Sequence, residues 1–91
     1  MKIKVNISRL LHHLGQLSSD LEALEVEALN AVECLRATVE RFPSMQNWMY
    51  ETDGTIRPQV WFFVNGEKLA DDKRDKALKD GDELLIFFHH V

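Results

Sequence analysis

The chain lacks the features that would place it in several common classes of protein. Among its 91 residues Cys34 is the only cysteine, so no intrachain disulfide can form and a reducing cytoplasm fits better than an oxidising compartment. No apolar run approaches the roughly 20 residues that a membrane-spanning helix needs. The first residues lack the apolar core of a signal peptide. We therefore expect a cytoplasmic protein without a membrane span.

Basic stripes and catalytic patterns are also missing. Lys and Arg number 11 against 15 Asp and Glu, and the formal net charge of −4 argues against nucleic-acid binding. The glycines at positions 15, 54, 66 and 81 each fall at a turn, so no glycine-rich phosphate loop exists. No nucleophile, base and acid are recognisable, and so small a domain offers little concave pocket. We expect no catalytic residue, no cofactor and no metal, and hence not an enzyme.

The first half of the chain shows strand and helix patterns. Apolar Ile3, Val5 and Ile7 alternate with polar residues, which predicts a half-buried strand. Ser8 can cap a short helix that stops at Gly15. Residues 21–29 fit either a strand or an early start of the next helix. That helix has Asn30 and Glu33 in capping-box positions and ends at Pro43, and a further short helical turn is expected within 44–50.

The second half predicts strands joined by tight turns. Residues 60–64 form an apolar run, and Asn65-Gly66 after it is a strong hairpin signal because both positions tolerate positive φ. Asp80-Gly81 predicts a turn into a last strand at 83–88. Strands mixed with one main helix predict an α+β fold in which one face of a sheet is covered.

Two segments together resemble a known family. Phe63-Val-Asn-Gly-Glu67 and Leu78-Lys-Asp-Gly-Asp-Glu83 precede an apolar C-terminal strand. At this spacing they resemble the MoaD/ThiS-type sulfur carriers, which include the molybdopterin-synthase small subunit. The resemblance covers nearly the whole chain and implies a single β-grasp (ubiquitin-like) domain over residues 1–91, with a mixed sheet packed on one main helix. It implies parallel pairing of the first and last strands, and it favours a strand to about residue 28 and a helix from Asn30.

The last two long strands are apolar on both faces, which predicts a binding surface. One set of side chains is assigned to the core: Val60, Phe62, Val64, Leu84, Ile86 and Phe88. The alternate set then lies together on the outer face of the sheet: Trp61, Phe63, Leu85 and Phe87. Exposed apolar patches of a few hundred Å² mark interaction sites. The alternative is that residues 44–58 fold over this face and bury it.

The resemblance also implies a function. Carriers of this type present the open sheet face to an adenylating enzyme similar to the ubiquitin-activating enzymes. Their C-terminal carboxylate is adenylated, exchanged for a thiocarboxylate and delivered to a biosynthetic enzyme subunit, in molybdopterin, thiamine or cysteine synthesis. Family members end in Gly-Gly, whereas the tail here reads His89, His90 and Val91. The sequence could lack its last residues, belong to a diverged paralogue that kept only the docking surface, or share the fold alone.

Three further interpretations stay open. A diverged, non-carrier β-grasp module, with an interaction or regulatory role, would use the same patch without tail chemistry. A homodimer could close over the patch. Four histidines could gather at one end of the domain: His12, His13, His89 and His90. Because adjacent strand residues point to opposite faces, we expect these histidines to be solvated rather than metal-bound.

Overall fold

The computed structural model describes residues 2–8 and 24–89. Its strands are β1 (Lys2–Ile7), β2 (Leu24–Glu27), β3 (Val60–Val64), β4 (Glu67–Lys68) and β5 (Glu83–Phe88). Its helices are α1 (Ala31–Arg41) and α2 (Gln46–Met49), with single 3-10 turns at Pro43–Met45 and Asp71–Lys73. The short helix predicted between Ser8 and Gly15 lies outside the described residues, as do His12, His13, His90 and Val91. None of the described helices has the length and apolar character needed to cross a membrane.

The strands form one mixed sheet in the order β2-β1-β5-β3-β4. The central pair, β1 and β5, is parallel, while the other neighbours are antiparallel. The parallel pairing of the first and last strands that the resemblance implies is therefore confirmed, and β3 pairs with the other edge of β5. The predicted α+β class with a mixed sheet on one main helix is confirmed as well.

The start of α1 follows from its capping residues. The Asn30 side chain accepts a hydrogen bond from the Glu33 backbone N–H at 2.9 Å, and the Glu33 carboxylate accepts one from the Leu29 N–H at 3.2 Å. Glu33 thus reaches one residue further back than a standard capping box does. The predicted change from strand to helix near residue 30 is confirmed.

One face of the sheet packs against α1 and encloses the core. The side chains of Ile3, Val5, Phe62, Leu84 and Ile86 are completely buried there. Of the six positions assigned to the core on β3 and β5, five are buried, while Val64, the last residue of β3, is only half-buried. Val64 stays partly open because only two-residue β4 continues the sheet beside it.

Residues 44–58 lie on the same side of the sheet as α1. Met45 and Met49 are completely buried in the core, and the Trp48 ring meets Phe88 edge-to-face at 6.1 Å between centroids. After α2, the chain forms a single antiparallel bridge between Tyr50 and Ile56. Because this segment helps to close the inner face, its apolar side chains do not bury the outer one.

The two segments that carry the family resemblance bind each other. Asn65 and Gly66 turn the chain with φ values of 50° and 89°. The Asn65 side chain donates to the Asp82 carboxylate at 3.0 Å and accepts from the Glu83 N–H at 3.0 Å. The Asp82 carboxylate also accepts from the Lys79 N–H at 2.8 Å. We call these contacts the turn clamp, which joins the β3–β4 hairpin to the start of β5.

Candidate partner-binding surface

The outer face of β3 and β5 carries the four side chains that the sequence predicted there. Strand register places Trp61 beside Phe87 and Phe63 beside Leu85. All four are partly exposed, although their immediate neighbours in the chain are mostly buried. We call Trp61, Phe63, Leu85 and Phe87 the aromatic patch. The structure brings them together as predicted, while their role in binding stays a prediction.

The three rings of the aromatic patch contact one another. The Trp61 ring centroid lies 6.4 Å from that of Phe63 and 5.9 Å from that of Phe87. Phe63 and Phe87 meet edge-to-face at 6.0 Å. Separations of 4.5–7 Å are favourable for aromatic pairs. The rings therefore restrict one another's rotation and form one continuous apolar surface on the sheet.

Two polar side chains complete the patch around Trp61. The His89 imidazole stacks on the indole at 4.3 Å with an interplanar angle of 7°. The Lys68 ammonium lies 4.3 Å from the same ring centroid, a cation–π geometry. His89, predicted as the first tail residue, also donates its backbone N–H to Gln59 at 2.6 Å. The chain thus stays attached to β3 through His89.

Sequence reasoning missed the part played by Lys68, although the signal was present. A two-residue Asn65-Gly66 turn pairs Val64 with Glu67, and therefore Phe63 with Lys68. That register places Lys68 beside the patch. The contact of His89 with Trp61 had no comparable signal, because it depends on how the chain leaves β5.

The rest of the outer face is charged. The Lys2 ammonium lies 3.7 Å from the Glu25 carboxylate, and the Lys4 ammonium lies 3.8 Å from that of Glu83. All four side chains are more than half exposed, so the pairs contribute little to stability. The outer face is therefore divided into an aromatic half on β3 and β5 and a charged half on β1 and β2.

Other chemically capable groups do not form a site in the described part of the chain. The Cys34 side chain is completely buried on α1, and this burial, helped by the nearby Glu33 charge, raises the pKa of the thiol to about 11. A thiol of such high pKa is a poor nucleophile. Within residues 2–8 and 24–89, no group of three His, Cys, Asp or Glu side chains could hold a metal ion.

Comparison with known proteins finds the same fold. No protein-family model and no curated protein matches the sequence. SAMP1 from Haloferax volcanii superposes with a TM-score of 0.79 at 20% identity, covering 97% of this chain and 94% of that one. The BexX/CysO complex of Amycolatopsis orientalis gives 0.73 at 16% identity, covering 98% and 97%. The complex of subunits 1 and 2 of the molybdopterin-converting factor from Helicobacter pylori 26695 gives 0.63 at 16%, covering 100% and 97%. The chain therefore has the ubiquitin-like β-grasp fold that its sequence predicted, the fold of a small archaeal modifier and of a molybdopterin-converting factor subunit.

Proposed function

We propose that the chain is a cytoplasmic, sulfur-carrier-like protein of the MoaD/ThiS type. It docks through its aromatic patch on an adenylating enzyme and on a cofactor-biosynthesis subunit, and it has no active site of its own. The observation that carries this proposal is the half-exposed cluster of Trp61, Phe63, Leu85 and Phe87 on an otherwise polar sheet face. Two proteins of the same fold, described above, were solved in complexes, which supports a protein partner.

The patch has the properties of an interface anchor. Tryptophan is enriched among the residues that dominate binding energy, especially where they lie near the centre of a contact. The rings lie on paired strands and contact one another, so little side-chain freedom is left to lose on binding. Trp61 contacts both phenylalanines of the patch as well as Lys68 and His89, and is therefore the side chain on which docking depends most.

Docking is tested by titrating the protein into an adenylating enzyme of the ubiquitin-activating type from the same genome, using calorimetry. We expect Trp61→Ser to weaken binding at least about 30-fold, since central anchors contribute 2 kcal/mol or more. Trp48→Ser is the matched control, because Trp48 is also a surface tryptophan, at 36% exposure, but lies on the helix side. Equal affinities of Trp61→Ser and wild type would contradict the proposal.

Carrier chemistry is tested on the full-length gene product. The C-terminal carboxylate attacks the α-phosphorus of ATP and releases pyrophosphate, and a sulfur donor then displaces AMP to leave a thiocarboxylate. Mass spectrometry after incubation with enzyme, ATP and sulfide should show one oxygen replaced by sulfur. Docking without this exchange would instead support the non-carrier module, which needs the patch but no tail chemistry.

A homodimer is the competing use of the patch, because a second copy would cover the same four side chains. Light scattering of wild type and Trp61→Ser distinguishes the two cases. We expect the same monomeric mass for both proteins. A dimer mass that falls only in the variant would show that the patch serves self-association.

A further inference from the structure

A cleft of about 660 Å³ lies between β4 and the segment that leads to β5. Its apolar lining includes Leu69 and Leu78, the second of which is almost completely buried. Four lysines surround this lining: Lys68, Lys73, Lys76 and Lys79. The lining is therefore shared between apolar and charged side chains, and the volume of the cleft lies within the range of known binding sites.

The lysines of this cleft differ in their ion pairing from the two lysines of β1. Lys2 and Lys4 each have a carboxylate partner. Within residues 2–8 and 24–89, none of the four cleft lysines has a carboxylate within ion-pair distance. The ammonium groups of Lys73 and Lys76 are therefore available to a ligand, while that of Lys68 also lies over the Trp61 ring and that of Lys79 acts on the Asp82 carboxylate.

Acidic side chains only partly offset this charge. Glu67 and Asp82 line the cleft, so four lysines face two carboxylates in a chain of net charge −4. Asp82 is engaged in the turn clamp, where hydrogen bonds from the Lys79 N–H and Asn65, together with the Lys79 charge, lower the pKa of its carboxyl. Nearby Asp71 is held by Arg74 at 3.2 Å, and the Asp80 carboxylate accepts from the Lys2 N–H at 2.7 Å.

The cleft is continuous with the aromatic patch. Lys68 belongs to both, because it lines the cleft while its ammonium lies over the Trp61 ring. Val64, at the end of β3, is also part of the cleft lining. A protein that covers the patch therefore reaches the cleft.

We propose that the cleft binds an acidic segment of the partner protein. The aliphatic side chains of that segment contact Leu69 and Leu78, and its carboxylates contact the lysines. This inference rests on the proposed docking function, because it identifies the chemistry of the docking partner. An apolar lining favours a peptide over a simple anion, since phosphate would leave that lining without a contact. Continuity with a protein-docking patch favours a protein over a free metabolite.

The test uses the full ¹⁵N-labelled protein and a synthetic acetylated, amidated peptide of alternating Glu and Leu. We expect the largest amide shifts within residues 64–82, and a loss of affinity of at least tenfold in the double variant Lys73→Glu, Lys76→Glu. The matched control is Lys2→Glu, Lys4→Glu, which changes the net charge equally outside the cleft. Unchanged amide spectra away from the substituted residues establish that both variants fold.

Three results would overturn the proposal: no shifts around the cleft, equal loss of binding in both double variants, or equal shifts with inorganic phosphate at the same ionic strength. This experiment needs no partner enzyme, so its failure leaves the docking function to be judged by Trp61→Ser alone. In the enzyme titration, the Lys73→Glu, Lys76→Glu variant should bind more weakly than wild type and show less dependence on salt.

Discussion

The two faces of β3 and β5 are built from the same kinds of residue and yet have different environments. Phe62 on β3 and Ile86 on β5 are completely buried. Their chain neighbours Phe63 and Leu85 point to the other face and are partly exposed. The difference comes from what covers each face, because α1 and residues 44–58 close the inner side. Burial here is thus set by neighbouring elements rather than by hydrophobicity. Under the proposed function, the apolar residues left partly exposed on the outer face of β3 and β5 are the ones that a partner contacts.

The sharpest test of this comparison is to remove one phenyl ring from each face. Phe62→Ala should reduce the free energy of unfolding by about 3–5 kcal/mol, because it removes buried apolar surface and leaves a cavity. Phe63→Ala should cost only about 1 kcal/mol, the loss of its ring contacts. Urea unfolding of both variants measures the difference. Similar losses would mean that the outer face belongs to the core.

A second test concerns the contacts that keep each residue on its own face. A slip of β3 against β5 by one residue would exchange the two faces, and the turn clamp opposes it. Asn65→Ala removes two hydrogen bonds and places at φ 50° a residue that tolerates the left-handed region less well than Asn, so we expect a loss of about 1–3 kcal/mol.

Two controls separate the causes of that loss. Asn65→Gly loses the same hydrogen bonds but adopts positive φ without steric cost, so it should recover part of the stability lost in Asn65→Ala. Asn47→Ala, at an exposed position of α2, should change stability by less than about 0.5 kcal/mol. If Asn65→Ala were as stable as wild type, the clamp would not matter for register.

Much of this arrangement could be predicted because strands and turns leave local signals. Alternation identified β1, and the Asn-Gly and Asp-Gly pairs identified the turns. The start of α1 at Asn30 had a capping signal, but the family resemblance decided it against an earlier start. The predicted assignment of the two faces of β3 and β5 agrees with the structure, but no local signal required it, since both faces are apolar. Which face is covered depends on long-range packing of α1, Met45 and Met49. The contact between His89 and Trp61 is equally non-local.

A third test asks how tightly the inner face is closed. The Cys34 thiol keeps its proton to about pH 11 in the folded state, against an ordinary value near 9.0. As the pH rises from 9 to 11, the unfolded chain releases this proton while the folded chain does not. Stability must therefore fall with rising pH.

The size of that fall follows from the shift in the pKa. Between pH 8 and pH 10, wild type should lose about 1 kcal/mol more stability than Cys34→Ala, since one pKa unit corresponds to about 1.4 kcal/mol. Urea unfolding at the two pH values measures this difference. Comparison with Cys34→Ala cancels the contributions of other titrating groups such as Tyr50, whose pKa is also raised by burial. Parallel losses in the two proteins would indicate that the thiol is open to solvent.

The smallest effect is expected in the charged half of the outer face. Breaking the Lys4–Glu83 pair with Glu83→Gln should change the free energy of unfolding by less than about 0.5 kcal/mol, because both side chains are more than half exposed.

The same variant also tests how far the docking surface extends. If the partner contacts only the aromatic half and the lysine cleft, Glu83→Gln should leave the dissociation rate of the complex unchanged. Any change should be in the association rate, and it should decrease as the salt concentration rises. A faster dissociation rate measured for Glu83→Gln by surface plasmon resonance would instead extend the interface across β1, because only a desolvated contact slows the release of a bound partner.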